Sequence, residues 1–347
     1  MPKDEETVLL HRDGPVGRIV LNRPRALNAL THGMVQRVDA ALDAWLGDPS
    51  VALVVISGAG ERGLCAGGDI RAIREDALRG GAAARAFWRS EYRLNARIAD
   101  YPKPYVALMD GIVMGGGVGV SAHGSVRVVT ERSAVAMPET TIGFVPDVGG
   151  TWLLSRAPGE LGTHLALTAG SAGAADALLC GLADVFVPGD RLPDFAASLT
   201  GGDVAGSVQR YAEAAPPGVL AEQREWIDAC YSADTVEEIL DRLFGSGERE
   251  AKEAATLMTA KSPTALKVTL EALRRARVLG SLREVLQQEY RVSCAALTCP
   301  DLVEGVRAQV IDKDRSPKWS PPTLAEVTEA NVEAFFAFGN GHDLSVS

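Results

Sequence analysis

Two acidic residues, Glu139 and Asp147, lie in the segment MPETTIGFVPDVGG at 137–150, among apolar residues, prolines and glycines. Two carboxyl groups held in apolar surroundings can divide acid–base work, because the loss of water raises the pKa of a buried acid toward neutral pH. The alternative is that both acids are solvated turn residues, as most Asp and Glu side chains are. The spacing of the two acids leaves both alternatives open.

Two glycine-rich segments, LCAGGDI at 64–70 and MGGGVGVSAHG at 114–124, could bring backbone close to a ligand. Consecutive glycines let a ligand approach the main chain and can direct peptide N–H groups at an anion. The first segment also fits an ordinary strand-to-helix turn in which Asp69 caps the helix. The second also fits glycines that allow close packing of a helix against a strand.

The second segment supports a competing function as well. Gly117, Gly119 and Ala122 match the G-x-G-x-x-A pattern of dinucleotide-binding proteins, and Glu139 follows Gly119 by twenty residues. An NAD-dependent dehydrogenase is therefore an alternative. That pattern normally opens the first βαβ unit of its domain, whereas at least three predicted strands precede it here.

Other catalytic signatures are missing from the sequence. It contains no GxSxG, HExxH or Walker motif, and its five histidines lack the spacing of metal ligands, so no metal site is predicted. Ser121 and His123 are only two positions apart, and on a helix they would face different directions. A Ser–His hydrolase is therefore disfavoured.

The composition of the 347-residue chain excludes several classes of partner. A formal net charge of −10 disfavours nucleic acid and anionic membranes, and no apolar run approaches the ~18 residues of a membrane span. The five cysteines form no CxxC pair, which is typical of a reducing compartment. The acidic N-terminus has no signal-peptide pattern. These features predict a soluble, cytoplasmic protein.

The hydrophobic pattern predicts an α/β architecture. Short β-branched runs predict strands at 17–22, 51–58, 104–111, 126–131, 134–139 and 183–188. Apolar residues recur at helical spacing after a possible cap at Thr31, and Ser262 with Pro263 marks another helix start. A Pro- and Gly-rich boundary at 188–207 precedes a chain of helical patterns.

Taken together, several segments resemble the enoyl-CoA hydratase/isomerase (crotonase) superfamily, and within it the 3-hydroxyisobutyryl-CoA hydrolase branch. The resemblance rests on RPRALNALT at 23–31, the two glycine-rich segments, and MPETTIGFVPDVGG, and it continues through SEYRLN, KSPTALKVTL and EGVRAQVIDKDRSPKWSP. It covers essentially the whole chain, and the motifs occur in the family's order.

The resemblance implies a crotonase (ClpP-like) spiral of ββα units with a helical C-terminal region. We therefore predict a core at 1–200 that holds the CoA-binding and catalytic site. Residues 201–347 are predicted to be mainly helical and to pack on the core or on a neighbouring subunit. A homo-oligomer is expected as a possible assembly.

The resemblance also assigns binding roles. It implies an oxyanion hole formed by the peptide N–H groups of Gly68 and Gly116, which would hold the negative oxygen of a reacting thioester. It places CoA along the main chain at Ala26, Ala66, Gly68 and Ile70. CoA is then part of the substrate, and no separate cofactor is expected.

One departure from the hydratases decides the predicted reaction. Hydratases of this family handle water with two glutamates, and the first of these positions is here Gly119, which has no side chain. The hydrolase branch pairs the residues that correspond to Glu139 and Asp147, and it places Glu91 at the acyl end.

We therefore predict a thioesterase that hydrolyses a short β-hydroxyacyl-CoA, most simply 3-hydroxyisobutyryl-CoA in valine degradation. In this scheme Glu139 is nucleophile or general base, and Glu91, Gly116, Glu139 and Asp147 contact the substrate. The alternatives are an enoyl-CoA hydratase or isomerase, the dehydrogenase, and a CoA-ester-binding protein without activity.

Overall fold

The computed structural model describes residues 6–337 and residue 344. The strands are Val8–Asp13 (β1), Val16–Leu21 (β2), Leu53–Gly58 (β3), Gly63–Cys65 (β4), Tyr105–Met109 (β5), Ile112–Met114 (β6), Val126–Val129 (β7), Ala134–Ala136 (β8), Ser171–Ala172 (β9) and Val185–Phe186 (β10). The α-helices are His32–Leu46 (α1), Ile70–Ala77 (α2), Ala82–Ala99 (α3), Gly116–Gly119 (α4), Gly150–Leu154 (α5), Leu161–Thr168 (α6), Ala174–Leu179 (α7), Leu192–Ser198 (α8), Val204–Tyr211 (α9), Leu220–Tyr231 (α10), Val236–Gly245 (α11), Arg249–Thr259 (α12), Pro263–Val278 (α13), Leu282–Ala296 (α14), Pro300–Val306 (α15) and Glu329–Phe336 (α16).

The chain forms two compact units, each made of three stretches of sequence. The first unit comprises Met1–Gly68, Arg93–Val135 and Ala172–Gly218, and the second comprises Asp69–Tyr92, Ala136–Ser171 and Val219–Ser347. These units do not follow the division at residue 200 that the sequence suggested, and that division stays a prediction. The stretch after residue 201 is helical, in agreement with its apolar periodicity.

The first unit is built on a six-stranded sheet with the order β1-β2-β3-β5-β7-β10. Strands β2, β3, β5 and β7 pair in parallel, and β1 pairs antiparallel with β2. The runs VGRIVL and LVVISG suit these strands, because β-branched side chains fit a pleated surface buried on both faces. Apolar residues from these strands and from α8 form one core cluster: Val16, Leu53, Val55, Val106, Leu108, Val128, Val187, Phe195 and Leu199.

A second sheet has the order β4-β6-β8-β9. Strands β3, β5 and β7 of the large sheet are each followed along the chain by a strand of this small sheet, namely β4, β6 and β8. Each pair of consecutive strands thus contributes one member to each sheet, which is the ββα repetition that the sequence resemblance implied. The turn between the two strands of a pair carries the chain from one sheet to the other.

Several predicted helix starts are confirmed. Thr31 caps α1 by accepting a hydrogen bond from the Met34 N–H group, and Ser262 caps α13 by accepting one from the Ala265 N–H group. Asp69 caps α2 through the N–H group of Ala72. Such caps satisfy peptide donors that a helix leaves free at its first turn, and each stabilises by about 1 kcal/mol.

Strand β1 was not predicted. Its sequence VLLHRD runs from a buried Val8 to exposed residues at His11, Arg12 and Asp13, so its apolar alternation fades along the strand. The strand forms at the edge of the sheet because its backbone pairs with β2 over all six residues. Among the described residues, no helix is long and apolar enough to cross a bilayer.

Candidate active site

In the first unit, the two glycine-rich segments lie against each other. Strands β4 and β6 pair in parallel, and each leads directly into one of these segments. A Cβ atom on Gly67 would lie 3.8 Å from the Gly116 nitrogen, and one on Gly117 would lie 2.3 Å from the Cys65 carbonyl oxygen. Glycine at 117 is therefore required by the close approach of two backbones.

Gly116 is the first residue of α4, after Gly115 at φ 49°. The first N–H groups of a helix have no acceptor within the helix, so this peptide can donate to a bound anion. Gly68 forms an isolated parallel bridge with Leu30, beside a hydrogen bond of 2.8 Å from the Leu30 N–H group to the Gly67 carbonyl. The structure thus brings the segments of both predicted oxyanion donors together in this unit.

The predicted CoA-binding residues Ala26 and Ala66 also belong to neighbouring segments of the first unit. Ala26 is exposed and ends a 3₁₀ turn at Pro24–Ala26, and the Ala66 N–H group donates to the Leu27 carbonyl oxygen over 3.0 Å. Buried Asn28, at φ 57°, holds this turn in place, since its side-chain amide donates to the carbonyl oxygens of Ala59 and Gly63. Asn tolerates this left-handed conformation better than most residues do.

Ile70, the remaining predicted CoA contact, is the first residue of α2 in the second unit. The residue is partly exposed. Asp69 serves as the cap of α2, so the interpretation of this residue as a helix cap is confirmed.

The second unit buries the two acids with which the sequence analysis began. Glu139 is 7% exposed and begins a 3₁₀ turn at Glu139–Ile142, while Asp147 is 5% exposed in the loop that precedes α5. The alternative of solvated turn acids is therefore wrong. The Phe144 N–H group donates to the Glu139 carbonyl oxygen over 3.1 Å, which closes the turn that carries Glu139.

Asp147 is hydrogen-bonded to a buried tyrosine. The Tyr92 hydroxyl donates to Asp147 Oδ2 over 2.7 Å and also lies 2.7 Å from Ser293 Oγ. Tyr92 belongs to α3, and Ser293 belongs to α14. Two helices distant in sequence thus fix the orientation of this carboxyl group.

Glu91 is the third predicted acid, and it is 2% exposed on α3. Its Oε1 atom and the Oε2 atom of Glu139 have no hydrogen-bond partner among the described residues. Buried polar atoms are nearly always paired in folded proteins. Two unpaired carboxyl oxygens in one unit therefore mark groups that can bind a polar ligand or water.

Glu289 is a fourth buried acid, and the sequence analysis missed it. It is 1% exposed on α14, and it accepts hydrogen bonds from the N–H group of Gly149, which precedes α5, and from that of Thr151 in the first turn of α5. A signal was present in the sequence, because Glu289 shares the buried face of its helix with Val285, Leu286 and Val292. A carboxyl group on such an apolar stripe requires a buried partner.

Burial raises the pKa values of all four acids, and the charge of Asp147 adds to this rise for the three glutamates. Burial raises the pKa of Asp147 to about 7, although the hydrogen bond from Tyr92 opposes this rise. Burial and the charge of Asp147 raise the pKa values of Glu139 and Glu91 well above the usual range, and burial raises that of Glu289 to about 8. Among the described residues, no Lys or Arg side chain is a main cause of these pKa shifts. Such a cluster holds protons at neutral pH and can exchange them with a substrate.

A metal centre is not indicated by this acid cluster. Within the described part of the chain, no three His, Cys, Asp or Glu side chains are arranged to hold a metal ion. His164, which is half-buried, pairs its Nδ1 atom with the Tyr231 hydroxyl at 3.0 Å. This histidine has a structural contact in the second unit and does not join the acid cluster.

The model of one protein family, described as enoyl-CoA hydratase/isomerase, matches residues 16–336. The chain belongs to this family. The match covers the glycine-rich segments and all four buried acids, and it confirms the predicted crotonase-type α/β fold. Gly117 and Gly119 lie in α4, a helix of only four residues. The dehydrogenase alternative loses its main support, because a dinucleotide fingerprint normally opens a longer helix of a βαβ unit.

Curated relatives within the family point to one branch. The chain is 44% identical to "3-hydroxyisobutyryl-CoA hydrolase, mitochondrial" from Danio rerio, over 98% of this chain and 91% of that protein. It is 42% identical to the protein of the same name from Homo sapiens, over 98% of this chain and 90% of that protein. These similarities confirm the predicted branch.

Two solved structures are also similar over nearly the full chain. A protein described as a carnitinyl-CoA dehydratase from Mycobacterium thermoresistibile is 55% identical with a TM-score of 0.96, over 99% of each chain. A protein described as an enoyl-CoA hydratase from Rhodobacter sphaeroides 2.4.1 is 45% identical with a TM-score of 0.93, over 98% of this chain and all of that one. Both share the fold, although their titles describe reactions that add or remove water.

The cytoplasmic location predicted from the sequence is contradicted by the curated relatives, whose names describe mitochondrial proteins. The prediction was wrong because cysteine usage indicates only a reducing compartment, and several compartments share that property. Net charge does not distinguish between them. The first five residues, on which the prediction also rested, lie outside the described residues.

Proposed function

We propose that this protein hydrolyses 3-hydroxyisobutyryl-CoA to 3-hydroxyisobutyrate and CoA, a step of valine degradation. The observation that carries the proposal is the buried pair of Glu139 and Asp147, together with the absence of a side chain at Gly119. The curated relatives support it through their shared name. The acid that a hydratase uses at the first position is missing here, whereas both acids of the hydrolase branch are present.

In the proposed reaction, ionised Glu139 either attacks the thioester carbonyl carbon or removes a proton from the attacking water. The thioester oxygen becomes negative, and the peptide N–H groups of Gly68 and Gly116 stabilise it. Removing one such donor typically slows a reaction by ~10²–10³-fold. The C–S bond then breaks, CoA leaves as the thiol after taking up a proton, and water supplies the new carboxyl oxygen.

Asp147 and Glu91 are proposed to serve the acyl group. Asp147, held by Tyr92, orients Glu139 or assists the water in the second step. Glu91 binds the β-hydroxyl through its unpaired carboxyl oxygen. A buried acceptor of this kind selects strongly for the hydroxylated substrate, because a substrate without the hydroxyl leaves it unpaired.

CoA is the leaving group and not a separate cofactor. We propose that its nucleotide part contacts the main chain at Ala26, Ala66, Gly68 and Ile70. Main-chain donors would let a protein of net charge −10 bind an anionic ligand without a basic surface. Assembly into a homo-oligomer stays a prediction.

A second candidate function is hydration or dehydration of an acyl-CoA, because the two similar solved structures are of proteins described as a dehydratase and a hydratase. On this chain the reaction would have to proceed with Glu139 and without an acid at Gly119. The two functions give different products, since only the hydrolase releases free CoA thiol.

The deciding experiment is a panel of short acyl-CoA esters assayed for release of free thiol and for hydration. We expect thiol release from 3-hydroxyisobutyryl-CoA and 3-hydroxypropionyl-CoA, and none from crotonyl-CoA. Isobutyryl-CoA lacks the β-hydroxyl. If Glu91 binds this hydroxyl, isobutyryl-CoA should be cleaved about 10²-fold or more slowly than 3-hydroxyisobutyryl-CoA. Hydration of crotonyl-CoA without cleavage of either hydroxyacyl ester would show that the hydrolase assignment is wrong.

A further inference from the structure

The loop that carries Asp147 has an unfavourable backbone conformation. Val148 has φ 53° and Gly149 has φ 81°, so two consecutive residues are left-handed. For a β-branched residue such as valine this conformation is a genuine outlier that costs on the order of 1–3 kcal/mol. Surrounding contacts must hold the loop in this shape.

Glu289 supplies contacts on one side of Val148. Its Oε2 atom accepts from the Gly149 N–H group over 2.6 Å, and its Oε1 atom accepts from the Thr151 N–H group over 2.9 Å and from the Thr151 hydroxyl over 2.5 Å. Both oxygens of one buried carboxyl group are thus used as acceptors. They fix the peptide that joins Val148 to Gly149 and the N–H group of Thr151 in the first turn of α5.

Ser293 supplies a contact on the other side of Val148. It lies four residues after Glu289, so the two side chains share one face of α14. Its hydroxyl is 2.7 Å from the Tyr92 hydroxyl, which donates to Asp147 Oδ2 over 2.7 Å. Helix α14 is therefore hydrogen-bonded to the peptides after Val148 directly and to the Asp147 carboxyl group through one tyrosine.

We propose that Glu289 and Ser293 are positioning residues that hold Asp147 in the orientation its reaction requires. The inference rests on the proposed function of Asp147 and deepens it. Glu289 does not need to touch the substrate, since both its oxygens accept from Gly149 and from Thr151 in the first turn of α5. Its negative charge also raises the pKa of Glu139, so its loss has an electrostatic consequence besides a geometric one.

The test compares Glu289→Gln with Glu284→Gln. Glu284 is exposed in the first turn of the same helix, so Glu284→Gln makes the same chemical change away from the Asp147 loop. A glutamine can accept with only one of its two terminal atoms, and in either orientation its NH₂ group meets a peptide donor of the loop. We expect kcat for thiol release to fall by up to about 10²-fold with KM nearly unchanged, and Glu284→Gln to behave as wild type.

The pH profile separates positioning from a merely structural role. With its own pKa raised to about 8, Glu289 is charged only on the alkaline side, and its loss lowers the pKa of Glu139 there. The kcat profile of Glu289→Gln should therefore be displaced to lower pH on that side, while the maximum falls. The other groups that face this region are Glu91 and Tyr92 of α3, Asp147 of the loop, Lys261, which donates to Thr141, and Asp301, which lies against Gly143. All of them are unchanged in the variant. An unaltered profile with unaltered kcat overturns the proposal.

Two further measurements keep the outcome decisive. If Glu289→Gln does not fold, Ser293→Ala makes the same test with a smaller change, and a kcat equal to that of wild type overturns the proposal. Amide hydrogen exchange at Gly149 and Thr151 does not depend on activity, and it should be faster in Glu289→Gln than in Glu284→Gln. If the wild-type protein releases no thiol, the proposed function fails, while equal exchange rates in the two variants separately overturn the role of Glu289.

Discussion

Tyr92 donates its hydroxyl hydrogen to Asp147 Oδ2 over 2.7 Å, and both side chains are buried. Tyr92 directly follows Glu91 on α3, so this helix supplies both an acid and the donor that orients another acid. The hydrogen bond stabilises the ionised form of Asp147 and opposes the effect of burial on its pKa. Burial therefore raises the pKa of Asp147, and the neutral hydroxyl donor of Tyr92 limits that rise.

Replacing Tyr92 with phenylalanine should raise the pKa of Asp147 further above about 7, because the carboxylate loses its donor. In the proposed mechanism the acid limb of the kcat profile then moves to higher pH, opposite to the shift expected for Glu289→Gln. The measurement is kcat for thiol release across the pH range. Tyr101→Phe is the control, since Tyr101 donates to the Leu42 carbonyl in the first unit. If the acid limb of the kcat profile does not move in Tyr92→Phe, Asp147 takes no part in the rate-limiting proton transfer.

Replacing Glu139 with glutamine should lower kcat by about 10²–10⁴-fold, because the variant can neither attack the thioester nor accept a proton. Affinity for a non-hydrolysable CoA thioether, measured by calorimetry, should stay within a few-fold of wild type. Glu131→Gln is the matched control, since Glu131 is exposed and lies in the same chain region. Undiminished turnover in Glu139→Gln would remove this residue from the mechanism.

The buried acids should make stability depend on pH. Asp147 has a pKa of about 7 in the folded protein and an ordinary value of 3.8, so between these values the folded state binds more protons than the unfolded state. The free energy of unfolding should therefore fall as the pH rises through this range. Asp147 contributes at most about 1.4 kcal/mol per pH unit to this fall.

Urea denaturation at about pH 5 and about pH 8 measures this dependence. Asp147→Asn does not titrate, so its curve should be flatter than that of wild type. Asp194→Asn, at an exposed position on α8, should keep the wild-type slope. Parallel curves for wild type and Asp147→Asn would contradict the expectation.

Replacing Gly117 with alanine should destabilise the first unit. The new Cβ atom would lie 2.3 Å from the Cys65 carbonyl oxygen, so one of the two glycine-rich segments must shift. We expect a loss of about 1–3 kcal/mol in the free energy of unfolding, and a lower kcat because the Gly116 N–H group moves with its neighbour. Gly33→Ala in α1 is the control, because no atom lies within 4 Å of its added Cβ atom. Equal stability of the two variants would show that the contact relaxes without cost.

The features that the sequence predicted correctly depend on neighbours along the chain. The caps at Thr31, Asp69 and Ser262 need only a helix that starts beside them, and strand β2 needs only a short β-branched run. The burial of Glu139 was suggested by the apolar residues around it. Local chemistry is enough for features of this kind.

The remaining features depend on contacts between distant parts of the chain. Glu289 meets Gly149 across 140 positions, and Ser293 meets Tyr92 across 201 positions. Periodicity shows that Glu289 lies on an apolar face, but it does not show which loop that face covers. The roles of Gly68, Gly116 and the CoA contacts came from the family resemblance, and they stay predictions.

The hydrogen bonds from α14 to the Asp147 loop also set an order of events during synthesis. A ribosome that has translated the whole 137–150 segment still has to add Glu289 and Ser293, so the emerging chain contains Asp147 and Val148 without the side chains that hold their loop in its final conformation. The loop can reach its final shape only when most of the chain has been made. A premature stop codon shortly before position 289 would leave Glu91, Glu139 and Asp147 in the chain. The resulting protein would still lack the helix residues that organise the acid cluster.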